Sequence, residues 1–240
     1  MCGRDPLKTR RTRFSRVSKM ENFNNYFNIL KTVPIFDSIS GAEMGSMLNC
    51  LGARIKSLPK NGAFLLAGEK PVYIGIVLTG QLHIVREDYE GNRIMIASAA
   101  PGGIFAEALC CADIEESPVS VLAAEDSSVM LLRFENILRV CPSACPFHRK
   151  LLENMLRLVS NKNLYLQGRM EIVSIKSVRW KVLRYLESFA QKRGREIVIP
   201  FNREELAGYL CVERSALSHE LMKMKRDGLI DYRKNAFILK

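Results

Sequence analysis

The spacing of apolar residues changes character along this chain, and each change predicts a change of element. Between 21 and 52, apolar side chains fall at helical intervals: Phe27, Ile29, Leu30 and Phe36, then Met44, Met47, Leu48 and Leu51. Short helices are predicted there, interrupted by Pro34, with Ser40 placed to cap a helix that begins near Ala42. From 54 to 134 the pattern turns to short apolar or alternating runs: AFLLA, YIGIVLTG, QLHIVRE, RIMIASA, VSVLAAE and SVMLLRF. Gly62, Gly68, Gly80, Gly91, Gly102 and Asp126 mark turns between them. Strands this short and this regularly spaced predict a small antiparallel barrel or roll.

Residues 147–173 then predict one long helix. Leu151, Leu158, Tyr165 and Ile172 recur every seven residues, Leu152, Val159, Leu166 and Val173 run beside them, and Met155 fills an intermediate position. A sustained heptad calls for a partner helix, with Leu151, Met155, Leu158 and Tyr165 as the expected dimer contacts. Asn154, Asn161, Lys162 and Gly168 blemish the seam, so packing of the whole helix on the barrel stays open as the alternative.

A helix over 177–191 and a strand over 196–201 follow, and 203–230 reads as two helices joined by a tight corner. Leu206, Ala207, Leu210, Val212, Leu217, Leu221 and Met224 are the expected inner positions, and the small Ala207 lets the second helix cross close over the first. Arg214, Ser215, Ser218, His219 and Met222 are left outside. Arg, Ser and His suit the base edges and phosphates of a DNA major groove. A helical hairpin with a solvated polar face would carry the same pattern, so the pair needs support from elsewhere. Part of it comes from the ribbon predicted over 231–239, turning at Lys234-Asn235. Helices followed by a ribbon describe a winged helix, with Arg233 and Lys234 near the phosphate backbone.

Charge supplies more. The chain of 240 residues carries a net charge of +11, unevenly divided. Residues 1–20 hold +6, 21–170 hold −1, and 171–240 hold +6. The middle is neutral and the segment with the helical pair is basic, as attraction to phosphate requires. Residues 1–20 form a basic tail without period, predicted to be disordered. The tail either touches nucleic acid or precedes a true start at Met20. With no run of about 18 apolar residues and no signal-peptide core, no membrane is expected and the compartment is expected to be the cytoplasm. Seven scattered cysteines in such a chain do not make a disulfide framework. Cys141 and Cys145, or the adjacent Cys110 and Cys111, could form a redox pair. Buried small hydrophobes and ordinary surface thiols are the competing reading. No metal site and no cofactor is expected.

Barrel, long helix and winged helix, in that order, resemble the cyclic-AMP receptor/fumarate-nitrate regulator family of bacterial transcription factors, from about residue 24 to the C-terminus. The resemblance rests on Leu78-Thr-Gly80-Gln-Leu, Gly91, Pro101-Gly-Gly-Ile-Phe105-Ala-Glu107, the reading motif R-x-E-L-A-x-x-L that Arg203 opens, and x-R-S-x-L-S-x-x-L after it. It implies an α+β fold: an N-terminal double-stranded β-helix (a cupin-like jelly-roll barrel of the cyclic-nucleotide-binding type), a long dimerisation helix and a C-terminal winged helix-turn-helix. The implied division is tail 1–20, effector-sensing β-roll 21–146, dimerisation helix 147–173 and DNA-binding domain 174–240. Family members are typically homodimers that read two-fold-symmetric double-stranded DNA, and RNA polymerase is an expected partner. Arg203, Arg214, Ser215, Ser218, His219, Arg233 and Lys234 are the expected DNA contacts, with Arg214 matching the family's guanine-reading arginine. Cys211 stands at the usual turn glycine, which implies an adjusted corner or a positive φ.

The departures bear on the signal. In the family's cyclic-nucleotide binders a Phe-Gly-Glu segment is followed about ten residues later by an Arg-Ser pair that grips the phosphate. Here the segment is Phe105-Ala106-Glu107, and Ser117 and Pro118 stand at the later positions. A buried phosphate without a guanidinium loses a charge-assisted contact, so a cyclic nucleotide is not expected. Phe105, Glu107 and Ser117 remain the candidate effector-pocket residues. No cysteine cluster suits an iron–sulfur centre. The effector is left as a small organic ligand, a thiol-based signal, or none. The function expected is a sequence-specific regulator, with a constitutive DNA binder as one rival and a thiol redox enzyme as the rival from another class.

Overall fold

The computed structural model describes residues 23–88, 90, 93–139, 146–193 and 196–240. The basic tail, Cys2, Gly91, Cys141 and Cys145 lie outside the described residues. Two compact units divide at Val159 and Ser160.

The first unit opens with α1 (Phe27–Leu30) and α2 (Gly41–Cys50). Ser40 caps α2 through a capping box: its hydroxyl accepts from the Glu43 N–H, and the Glu43 carboxylate accepts from the Ser40 N–H at 2.9 Å. Six strands follow: β1 (Arg54–Leu58), β2 (Ala63–Leu65), β3 (Tyr73–Thr79), β4 (Leu82–Glu87), β5 (Arg93–Ala99) and β6 (Ile104–Phe105). A short α3 (Glu107–Cys111), then β7 (Ser120–Ala123), β8 (Ser127–Arg133) and α4 (Phe134–Leu138) complete the roll. The strands form two antiparallel sheets, ordered β1-β8-β3-β6 and β2-β7-β4-β5. First therefore pairs with eighth, second with seventh, third with sixth and fourth with fifth. That nesting is a jelly roll, the type that the family resemblance implied for the small antiparallel roll expected from the strand spacing.

One sheet is buried on both faces, and its sequence explains why. Val77 of β3 and Val129 and Leu131 of β8 face the other sheet, meeting Leu65, Leu82 and Val121. The alternate residues Ile74, Ile76, Leu78, Met130 and Leu132 face outward into a second cluster with Leu30, Met44, Met47 and Leu48. A strand covered on both sides reads as a continuous apolar run, as YIGIVLTG does. Gly75 keeps one gap open: a Cβ there would stand 2.0 Å from the Phe105 ring. Gly80, at φ 79°, takes a turn where a side chain would strike Ser127 and the Asp126 carbonyl.

Helix α5 spans Pro146–Ser174. Its first half belongs to the first unit, where Phe147, Leu151 and Met155 are buried in the outer cluster and Leu158 packs against it. Leu151 is fully buried and Met155 is 4% exposed, so these two expected dimer contacts are corrected to core residues of the chain's own barrel. Asn154, a blemish in the expected seam, is buried and donates from Nδ2 to the carbonyls of Ile35 and Asp37 at 3.1 and 2.8 Å. A polar side chain inside the cluster thus ties the helix to the loop before α2.

The second unit holds the rest of α5, α6 (Val178–Arg193), β9 (Glu196–Val198), α7 (Arg203–Leu210), α8 (Arg214–Arg226), β10 (Ile230–Arg233) and β11 (Ala236–Leu239). The ribbon is wider than expected, because β9 pairs with β11 and makes a three-stranded sheet ordered β10-β11-β9. Leu206, Ala207, Leu210, Leu217, Leu221 and Met224 are all buried as expected, while Val212 is half-buried.

Candidate nucleic-acid interface

Helix α7 is capped by Asn202, whose side chain accepts from the N–H groups of Glu204 and Glu205, and the Glu205 carboxylate accepts from the Asn202 N–H at 2.7 Å. Two acidic residues in the first turn also suit the positive end of the helix dipole. The corner is Cys211, at φ 51° and ψ 57°. This is the left-handed conformation that glycine adopts freely, so the positive-φ alternative is the one realised. Helix α8 then starts at Arg214 without a side-chain cap. Its buried positions recur at three and four residues, which turns Arg214, Ser215, His219 and Met222 outward as exposed side chains, with Ser218 half-buried between them. Arg226 is exposed on the same side, one turn beyond Met222, and was not among the expected contacts.

Two cations on α6 support α8 and the end of α7 from behind. Arg179 pairs with Glu220 in the middle of α8 at 2.6 Å and with Asp227 at its end at 2.8 Å. Its guanidinium is held above its usual range, first by the hydrogen bond it donates to Glu220 and then by that to Asp227. Lys181 is buried, and its Nζ donates at 2.9 Å to the Leu210 carbonyl, one of the orphan acceptors at the end of α7. Neither support was legible in the sequence, where Arg179 and Lys181 look like any basic residues of a polar helix.

The wing carries Arg233 and Lys234 at its exposed tip, Lys234 at φ 55° in the turn. Asn235 secures the turn by donating from Nδ2 to the Ile199 carbonyl at 3.0 Å. Arg203 has a different placement. Its guanidinium lies 5.1 Å from the Tyr232 ring centre and 5.5 Å from that of Phe237, and donates to the Lys234 carbonyl at 3.1 Å. Burial lowers its pKa. It joins the start of α7 to the wing.

The expected effector residues Phe105, Glu107 and Ser117 are all buried. Phe105 fills the space between the sheets, edge-on to Phe64 with ring centres 4.7 Å apart. Glu107 is buried at the start of α3. The Ser117 hydroxyl is closed on Val119, donating to its carbonyl at 2.7 Å and accepting from its N–H at 3.3 Å. Ala106 sits at φ 63°, a left-handed position held without glycine. A separate cavity of about 430 Å³ opens in the roll, lined by Arg54, Lys56, Phe64, Glu69, Lys70 and Tyr73 among others. None of the three expected residues lines it.

Among the described residues, Cys50, Cys110, Cys111 and Cys211 form no disulfide. Burial, then Cys111 and Glu107, push the Cys110 thiol up to about 12, and burial also raises Cys111. Both are therefore poor nucleophiles at neutral pH. Among the described residues no group of three or more His, Cys, Asp or Glu is placed to hold a metal ion, and no helix is long and apolar enough to cross a membrane.

The cyclic nucleotide-binding domain family matches residues 55–143, and the Crp-like helix-turn-helix domain family matches residues 181–240. No curated protein sequence matches the chain. Among solved structures, the c-di-GMP-responsive global regulator CLP of Xanthomonas campestris is similar with a TM-score of 0.52 and 16% identity, over 82% of this chain and 98% of that one. A cyclic nucleotide-binding domain from Methylobacillus flagellatus is similar with a TM-score of 0.53 and 16% identity, over 64% of this chain and 87% of that one. The two likenesses concern the fold. With the two family matches together taking in more than half of its length, in the order roll then helix-turn-helix, the chain belongs to the cyclic-AMP receptor/fumarate-nitrate regulator family of DNA-binding transcription regulators.

Proposed function

We propose that the protein is a homodimer that reads a two-fold-symmetric double-stranded DNA site through α8 and regulates transcription without enzymatic chemistry. The observation that carries this is the exposed row of Arg214, Ser215 and His219, with Ser218 half-buried between them, on a helix whose opposite side is buried and clamped by Arg179. Arg214 is the base reader, Ser215, Ser218 and His219 give the half-site its own sequence, and Arg233 and Lys234 contact phosphate. Arg203 acts by holding the wing. RNA polymerase is the partner in the cytoplasm.

Two copies meet along a stripe of α5 that runs through Leu152, Leu156, Val159, Asn163, Leu166, Met170 and Val173, of which Leu152 and Val159 also lie against the barrel cluster. Alternating steps of four and three residues are a coiled-coil seam. Leu156, Leu166 and Met170 are 69%, 54% and 72% exposed in the single chain. Tyr165, another expected dimer contact, is exposed and also lines a cavity of the second unit. Asn163 is a single polar seam residue, the kind that sets register and oligomer state at some cost in stability.

The roll senses a small molecule or a redox signal rather than a cyclic nucleotide, because Ser117 stands where a guanidinium would be needed and is bound to its own turn. Constitutive binding is the second reading, favoured by Phe105 filling the space between the sheets.

Fluorescence anisotropy on a selected DNA site tests the reading helix. Arg214→Ala should weaken specific binding by about 1–3 kcal/mol while leaving salt-sensitive binding to random DNA unchanged. Unaltered specific binding would remove α8 from the role.

A further inference from the structure

The second unit contains a cavity of about 500 Å³ between the end of α5, α6 and α7. Its volume falls in the range of small-molecule sites. α8 and the wing contribute nothing to its wall, so it is separate from the DNA-reading face. On α5 it takes Leu164, Gly168, Glu171 and Ile172, the side turned away from the Leu166 and Met170 stripe. A partner helix on that stripe leaves the cavity open.

The wall has a specific chemistry. Tyr185, Phe201 and Tyr209 form an aromatic cluster, with the Tyr185–Tyr209 and Phe201–Tyr209 ring centres each 5.1 Å apart. The Tyr185 hydroxyl is buried and has no hydrogen-bond partner among the described atoms. Two guanidiniums reach the cavity, and they differ. Arg184 is paired with Glu171 at 3.3 Å and Glu187 at 4.0 Å. Arg169 lies 5.0 Å from the Tyr209 ring centre and, among the described residues, has no carboxylate partner. A cation on the Tyr209 ring with no carboxylate partner among the described residues, beside clustered phenol and phenyl rings, matches a ligand with an aryl body and one negative charge.

We infer that this cavity binds a small planar aromatic anion, with its ring against Tyr185, Phe201 and Tyr209 and its charge on Arg169. The site is independent of the function proposed above, and titration of the ligand decides it without DNA.

Gly168 supplies a clean variant, because a Cβ there meets no atom within 4 Å and leucine favours a helix more than glycine does. Isothermal titration of the full chain with 2-naphthoate should show one site per chain, with neutral 2-naphthamide at least tenfold weaker. Arg169→Gln should bring 2-naphthoate down to the level of the amide. Gly168→Leu should abolish binding of both without lowering the melting temperature. The inference is overturned by no heat with either ligand, by equal affinity for the two, by binding that survives Gly168→Leu, or by binding lost in Lys56→Gln and Lys70→Gln, which would move the ligand to the roll.

Discussion

The reading helix and the roll's turn around α3 place comparable chemistry in opposite situations. On α8, Arg214 and His219 are exposed while the far side of the helix is fully buried. Its fixed charges, Glu220 and Asp227, are taken up by Arg179 behind it. Around α3 the polar groups face inward: Glu107 is buried, the Ser117 hydroxyl is closed on Val119, and Ala106 holds a left-handed backbone. A surface that must meet a partner keeps its donors free and puts its rigidity behind them. A turn whose donors are satisfied locally has little left to offer a charged ligand.

Several changes would break or sharpen that contrast. The largest effect is expected from Met170→Glu, which puts a charge in the seam on a residue 72% exposed in the single chain. Losing the second half-site should cost roughly a hundredfold or more in apparent DNA affinity, with a monomer appearing in sedimentation. A dimer that persists would move the interface off α5. Leu221→Ala, at a fully buried position, should destabilise the second unit by about 2–5 kcal/mol. Hydrogen exchange should then show protection falling across 178–239 and holding in β3 and β8. Arg179→Ala should weaken specific DNA binding less than Arg214→Ala does, and equal losses would make the support as important as the reader. Ala106→Gly should stabilise the roll by about 1 kcal/mol by relieving the left-handed alanine, read as a rise in its melting temperature. The smallest effect is expected from cyclic AMP, which at millimolar concentration should leave the melting temperature unchanged. A clear rise would restore a cyclic-nucleotide site and remove the contrast.

The inner positions of α7 and α8 were legible because a helix buried on one side repeats at three and four residues, as Leu217, Leu221 and Met224 do. The strands of the roll were legible from their length and turn glycines. The long helix was legible as a helix but not in its facing. Leu151 and Leu158 recur every seven residues, and so do Leu152 and Val159. Which stripe meets the barrel depends on what stands opposite, here Leu30, Met44 and Met47, and period alone does not carry that information. The buried Lys181 under the α7 corner and the tyrosines around Arg169 escaped for a similar reason: each is defined by residues distant in sequence. Cys211 was legible in part, since the family's glycine at that position left an adjusted corner or a positive φ, and the positive φ is present.

Selection of bound sequences from a random DNA pool, by the wild-type chain and by Arg214→Ala in parallel, tests most directly that α8 reads bases as one of a pair. The wild type should enrich two inverted half-sites with centres about one helical turn, roughly 10 base pairs, apart, and the variant should lose preference at a guanine within each half. Enrichment of a single asymmetric site, or of the same sequence by both proteins, would contradict it.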